Sequence, residues 1–200
     1  MRARMVLLVA VVMAVAPGAA AQDLSFGAKG GVAFSTLSFD PSSEISYDLR
    51  TGLVVGGFVA FPLGSRITIQ PEGLFVQKGA KVKDFGVSAT IELDYVEVPV
   101  LVKYRIAGGP ARSFHVFGGP SLAFKVSASS SASFGGSTID TSNDEEIESL
   151  DYGVVAGAGM DAGRFTIDGR FTFGFANVNK DEDEPKARTR SLAILAGVRF

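Results

Sequence analysis

The chain contains no cysteine and no tryptophan, and its one histidine is His115. The absence of thiols excludes disulfide staples and thiolate chemistry. With no tryptophan, 16 phenylalanines and 4 tyrosines make up the whole aromatic complement. Positive charge is sparse and unclustered: the formal net charge is −2, with no basic block. That balance argues against a nucleic-acid partner. Beyond residue 21 no apolar run reaches 18 residues without a charge, so no segment reads as a transmembrane helix, which needs about 20 apolar residues. Residues 22–200 also lack any sustained helical period, although 46% of the chain is hydrophobic. Strands must carry that apolar content.

What is present begins with an export signal. Arg2 and Arg4 precede an uncharged apolar run from Met5 to Ala16, and Ala19-Ala20-Ala21 offers small residues for cleavage. This is the pattern of a secretory signal peptide over residues 1–21, leaving 22–200 as the mature domain. No cysteine follows the cleavage site, which excludes a lipoprotein anchor.

Eight strand-like segments follow, at about 24–36, 52–62, 66–78, 90–105, 112–127, 150–162, 164–176 and 189–200. Alternation is clear in several. Phe165, Ile167, Gly169, Phe171 and Phe173 share one parity; Thr166, Asp168, Arg170 and Thr172 share the other. Val96, Val98, Val100, Val102 and Tyr104 oppose Glu97, Pro99, Leu101 and Lys103, and Phe26, Ala28, Val32 and Phe34 oppose Lys29 and Ser35. Period 2 puts such sets on opposite faces of a strand. Leu53 to Phe61 is apolar at both parities, so alternation cannot orient it.

The connections alternate strictly in length. Pro62-Leu63-Gly64-Ser65, Gly108-Gly109-Pro110 and Asp161-Ala162-Gly163 are tight Gly/Pro turns. Those at 37–51, 79–89, 128–149 and 177–188 are longer and polar. An up-and-down barrel puts all the long loops at one end, as outer-membrane barrels do, with short turns and both termini on the periplasmic side. The predicted fold is therefore all-β: an eight-stranded antiparallel up-and-down transmembrane β-barrel in the bacterial outer membrane. Its partners would be outer-membrane lipid and, through loops 37–51, 128–149 and 177–188, surface or secretion partners. A soluble secreted ligand-binding barrel also has eight strands. The charged second faces, the loop asymmetry and the apolar last segment favour lipid outside.

Eight strands leave an interior just wide enough for side chains to fill, so inward charges must pair. Lys29, Glu72, Glu97, Lys103, Asp168, Arg170 and Arg199 are the candidate lumen ion-pair residues. On this register Glu72, Glu97 and Lys103 lie on neighbouring strands, and Lys29, Asp168, Arg170 and Arg199 form a second neighbourhood across the closure. His115 reads as a rim or lumen residue, since no serine nucleophile motif accompanies it. Glycines 27, 30 and 31, and 153, 157 and 159, are not followed by the helix a phosphate loop requires. Neither 140–146 nor 181–184 has calcium-loop spacing. No catalytic residue, metal site or cofactor is expected.

In the last segment Leu192, Ile194, Ala196, Val198 and Phe200 share one face. A terminal strand ending in Phe resembles the closing strand of outer-membrane barrels. Further resemblance lies in Ile69-Gln70-Pro71-Glu72 with Gln77-Lys78-Gly79, in Tyr95-Val96-Glu97-Val98-Pro99-Val100-Leu101-Val102-Lys103-Tyr104, in Gly118-Gly119-Pro120, and in Asp151-Tyr152-Gly153 leading to Gly157-Ala158-Gly159. Together these stretches resemble the outer-membrane β-barrel family that includes the PorT-like proteins. The resemblance implies an eight-stranded barrel, with Leu192, Ile194, Val198 and Phe200 as the closure and insertion signal read by the barrel-assembly machinery. Some PorT-like members assist protein secretion, so an accessory secretion role stands beside a structural or interaction role. A lipid A-modifying enzyme and a narrow channel are further alternatives.

Overall fold

A computed structural model describes residues 24–40, 47–84, 87–109, 111–134, 137–142, 150–176 and 186–200. The predicted signal peptide at 1–21 lies outside the described residues. Nine strands run β1 Ser25–Asp40, β2 Tyr47–Leu63, β3 Ile67–Asp84, β4 Val87–Gly108, β5 Arg112–Phe134, β6 Ser137–Ser142, β7 Leu150–Ala162, β8 Phe165–Gly174 and β9 Lys186–Arg199. Every pairing is antiparallel. The order β4-β3-β2-β1-β9-β8-β7-β5, with β4 also paired to β5, closes an eight-stranded barrel. β6 stands outside that count and pairs only with the far end of β5 among the described residues.

The eight predicted segments coincide with the barrel strands, but the strands outrun them. β4 and β5 have 22 and 23 residues, where about 9–11 cross a membrane. The excess lies at the end with the long connections. There β1 extends to Asp40, β3 to Asp84 and β5 to Phe134, and β6 returns through residues expected to be loop. Polar sequence does not end a strand that has left the membrane, because water then solvates both of its faces. At the other end the three tight turns each carry a glycine at positive φ: Gly64 at 79°, Gly108 at 104° and Gly163 at 59°.

Burial resolves the two faces. On β8, Thr166, Asp168, Arg170 and Thr172 are buried inward, while Phe165 and Ile167 are exposed. β2, which alternation could not orient, turns Val54, Phe58 and Ala60 inward and Leu53, Val55 and Phe61 outward. Its two apolar faces have different partners: the lumen core on one side and the barrel's outer surface on the other. In the β3–β4 ladder the register passes from Pro71↔Val100 to Leu74↔Glu97. Pro99, which has no N–H to donate, falls in that gap.

The outward residues form a continuous apolar belt. Phe26, Phe61, Tyr104, Phe114, Phe165 and Phe200 ring the short-turn end, and Tyr152, Phe173 and Phe175 lie toward the other. Phenylalanine and tyrosine thus build the interfacial girdles that tryptophan often supplies. Water-soluble monomers rarely expose large contiguous apolar patches.

The β1–β9 seam completes the ring. Fourteen residues pair from Gly27↔Arg199 to Asp40↔Lys186, and the Phe200 amide donates to the Phe26 carbonyl at 2.8 Å. The Phe26 and Phe200 rings meet with centroids 5.8 Å apart. At Gly31 a Cβ would lie 1.9 Å from the Ile194 carbonyl oxygen of β9, whereas at Gly73 it would meet nothing within 4 Å. Gly31→Val is therefore expected to abolish the compact, heat-modifiable form on gels. Gly73→Ala should assemble as the parent does.

Candidate functional site

Along β3 the inward residues read Gln70, Glu72, Leu74, Val76, Lys78, all buried. Polar, apolar and polar groups therefore succeed one another up the lumen, and the other strands follow the same plan. Two charged tiers result, separated by an apolar septum.

The inner tier lies toward the short turns and centres on Glu72 and Asp168. Lys29 of β1 donates to Glu72 Oε1 at 2.8 Å and to Asp168 Oδ2 at 2.8 Å. Arg170 of β8 grips Glu72 with two nitrogens, Nη1 to Oε2 at 2.6 Å and Nη2 to Oε1 at 3.3 Å. Gln70 adds a bond to Glu72 Oε1 at 2.7 Å. Charge-assisted, bidentate bonds of this kind are the strong ones. Aromatic faces flank the cations: Lys29 Nζ lies 4.8 Å from the Phe58 ring centroid, and the Arg170 guanidinium 5.5 Å from that of Phe117.

His115, on the first turnward residues of β5, joins this tier. Its Nε2 lies 3.0 Å from Asp168 Oδ1, and its Nδ1 faces Asp161 Oδ2 at 3.4 Å. Arg199 reaches Asp161 Oδ1 at 3.7 Å from a half-exposed position. Lys103 shares a cavity of about 10 Å³ with Asp161, Arg199, Thr166, Gln70 and Phe58. That is room for about one water. Among the described residues Lys103 makes no ion pair within 4 Å.

Above this tier Ala33, Val54, Leu74, Val76, Ala193 and Leu195 pack as one cluster, with Leu101, Phe117 and Val155 as another. The outer tier follows. Lys78 pairs with Glu97 and lies over the Tyr95 ring at 5.4 Å. Arg50 pairs with Glu92 at 2.8 Å and donates to the Lys78 carbonyl at 2.5 Å. Thr189 donates to Asp151 at 2.7 Å.

Of the sequence candidates, Lys29, Glu72, Asp168 and Arg170 come together. Glu97 does not join them. It stands in the outer tier with Lys78, so the expected neighbourhood of Glu72, Glu97 and Lys103 divides between the tiers, with Glu72 and Lys103 in the inner one. Strand adjacency brings Glu72 and Glu97 near in chain pairing, but the septum residue Leu74, opposite Glu97 in the register, separates their tiers. Arg199 is peripheral, and among the described residues its ion pair is with Asp161. Lys78, Arg50, Asp151 and Asp161 were not among the candidates. Lys78 shares parity with Glu72, Leu74 and Val76, so alternation carried its signal. Arg50 lay outside the predicted segment at 52–62. Leu192, Ile194, Val198 and Phe200 lie on the outward face of β9.

A closed barrel with an apolar exterior and a charged, filled interior is the design of an integral outer-membrane protein. The chain belongs to the family described as outer membrane protein beta-barrel domain, whose sequence profile matches residues 20–180. Its place is the bacterial outer membrane, so the long-connection end is extracellular and the termini periplasmic. Solved structures similar to it include Neisserial surface protein A, at 14% identity, covering 90% of this chain and 100% of that one with a TM-score of 0.50. Ail, the attachment invasion locus protein of Yersinia pestis, matches at 15% identity, 90% and 100% coverage and a TM-score of 0.46. OprG from Pseudomonas aeruginosa matches at 14% identity, 88% and 95% coverage and 0.44. Identity at this level speaks to fold and not to task. No curated protein matches the chain.

Glu72→Gln leaves Lys29 and Arg170 to share one buried carboxylate, Asp168. Breaking a buried pair in this way costs about 3–5 kcal/mol. Urea unfolding in lipid vesicles, followed by gel mobility, should show a loss of that size. Glu97→Gln leaves a single cation, Lys78, still over Tyr95, and the loss should be smaller.

Proposed function

We propose that this protein is a non-catalytic outer-membrane barrel that acts by interaction at its extracellular end, with residues 37–51, 128–149 and 177–188 as the partner-binding region. The observation carrying this reading is the extension of β3, β4 and β5 beyond the length needed to cross the membrane, with β6 paired to the far end of β5. Their register continues there, through Lys81↔Thr90, Thr90↔Ser131 and Ser131↔Asp140, so the excess chain forms a sheet projecting from the barrel. A filled lumen supports the same reading, since the two tiers and the septum leave no wide passage. The lone histidine, held between two aspartates inside that lumen, supports a structural and not a catalytic role.

An accessory secretion role of the PorT-like kind is a second reading. The stretch that resembles that group most specifically is Tyr95-x-Glu97-x-Pro99-x-x-x-Lys103-Tyr104, of which Tyr95, Glu97, Pro99 and Lys103 are buried and inward-facing while Tyr104 is exposed on the outer surface. The likeness therefore concerns how the lumen is filled. A secretion partner would have to be recognised by the extracellular sheet, which lies outside that most specific stretch.

The test compares a deletion strain complemented by the full chain with one complemented by a variant whose 128–149 segment is replaced by a short turn. The variant should insert normally and fail to restore the deletion phenotype. Purified protein should give no conductance steps in planar bilayers, and lipid A should be unchanged. A depleted set of secreted proteins in the deletion strain would favour the secretion role, and altered lipid A that depends on His115 would overturn the non-catalytic reading.

A further inference from the structure

Among the described residues Asp151 of the outer tier has no cation within ion-pair distance. Lys78 is committed to Glu97, and Arg50 to Glu92. Asp151, only 5% exposed, has a neutral hydroxyl as its partner: Thr189 Oγ1 donates to Oδ2 at 2.7 Å. Its Oδ1 is buried with no protein partner, and so is the hydroxyl oxygen of Ser121, another residue 5% exposed. Glu97 Oε1 meets Lys78 as an ion pair without the alignment of a hydrogen bond.

These groups converge. Asp151, Ser121, Glu97, Thr172, Lys78 and Gly174 line one cavity of about 10 Å³, the size of about one water. Gly174 keeps it open: a Cβ there would lie 2.2 Å from Thr189 Oγ1 and 2.7 Å from Asp151 Oδ2. A buried carboxylate answered only by a hydroxyl is costly, and a cation in the cavity removes that cost. The donors are carboxylate and hydroxyl oxygens with no nitrogen or sulfur ligand, which suits a hard cation and not a zinc- or copper-type metal. The charges of Asp151 and Glu97 against Lys78 leave one net negative charge, which matches a single positive charge. A hydrated divalent ion would exceed both that charge and the space.

We propose that the outer lumen binds one sodium-sized monovalent cation between Asp151, Ser121, Glu97 and Thr172. The site ties together β4, β5, β7 and β8, and Thr189 adds β9 through Asp151. Occupancy would then lock the extracellular mouth of the barrel, just below the projecting sheet, and couple its stability to the external salt.

The experiment uses the full mature protein refolded in detergent at neutral pH. Thermal unfolding is followed by circular dichroism in sodium chloride and in N-methylglucamine chloride at equal ionic strength. Sodium should raise the midpoint saturably, by about 5 °C. Asp151→Asn, which keeps the shape and removes the charge, should unfold at the same temperature in both salts. Ser121→Ala should need roughly tenfold more sodium, the loss of one ligand oxygen being worth about a factor of ten. Equal midpoints for the parent protein in the two salts would overturn the proposal, as would a full sodium response in Asp151→Asn. Should the variants fail to fold, a high-resolution crystal structure of the parent protein grown in sodium decides. Density with oxygen contacts clearly shorter than the hydrogen-bond distance of about 2.8 Å supports a cation. Density at that distance is a water and overturns it.

Discussion

A backbone N–H or C=O facing hydrocarbon has no water to turn to, so a sheet that crosses a bilayer must meet itself. In this chain the meeting point is the β1–β9 seam, and much else is subordinate to it. An even number of crossings brings both ends of the chain to the same side, where the Phe200 amide bonds to the Phe26 carbonyl. Gly31 has no side chain because the β9 backbone occupies the place of one. The outward residues of β9 must be apolar because closure leaves them nowhere but lipid.

Closure at eight strands then dictates the interior. The lumen is too narrow for bulk water and too long to be filled by apolar residues without making both faces of every strand hydrophobic. Charged side chains fill it instead, and most of them are paired. Glu72 collects Lys29, Arg170 and Gln70 from three strands, so the cross-lumen bonds brace the barrel as spokes brace a rim. The septum of Leu74, Val76, Val54 and their neighbours holds the two tiers apart.

How much of this was legible in the chain differs from residue to residue. β8 announces itself, because Thr166, Asp168, Arg170 and Thr172 alternate with apolar residues. β2 does not, because a strand with apolar residues on both faces reads alike whether its lumen side or its lipid side is counted. Lys78 carried the right parity yet escaped notice at the margin of its segment. The partners of Glu72 were beyond reach: Lys29 and Arg170 are 43 and 98 residues away, on strands that never pair with β3. Residues 128–134 looked like loop because serine-rich sequence has no apolar face, yet ladder pairing with β4 carries them as strand.

The amino-acid sequence by itself determined the membrane barrel: alternation set the crossing strands, and turn residues set which end is short. These are local properties, governed by period and by backbone conformation over a few residues. Tertiary structure alone decided which charges meet, how they divide into two tiers, and that Asp151 is left facing a small cavity. Those depend on the shear of the closed sheet, which slides distant strands past one another and brings together side chains that neither spacing nor strand order relates.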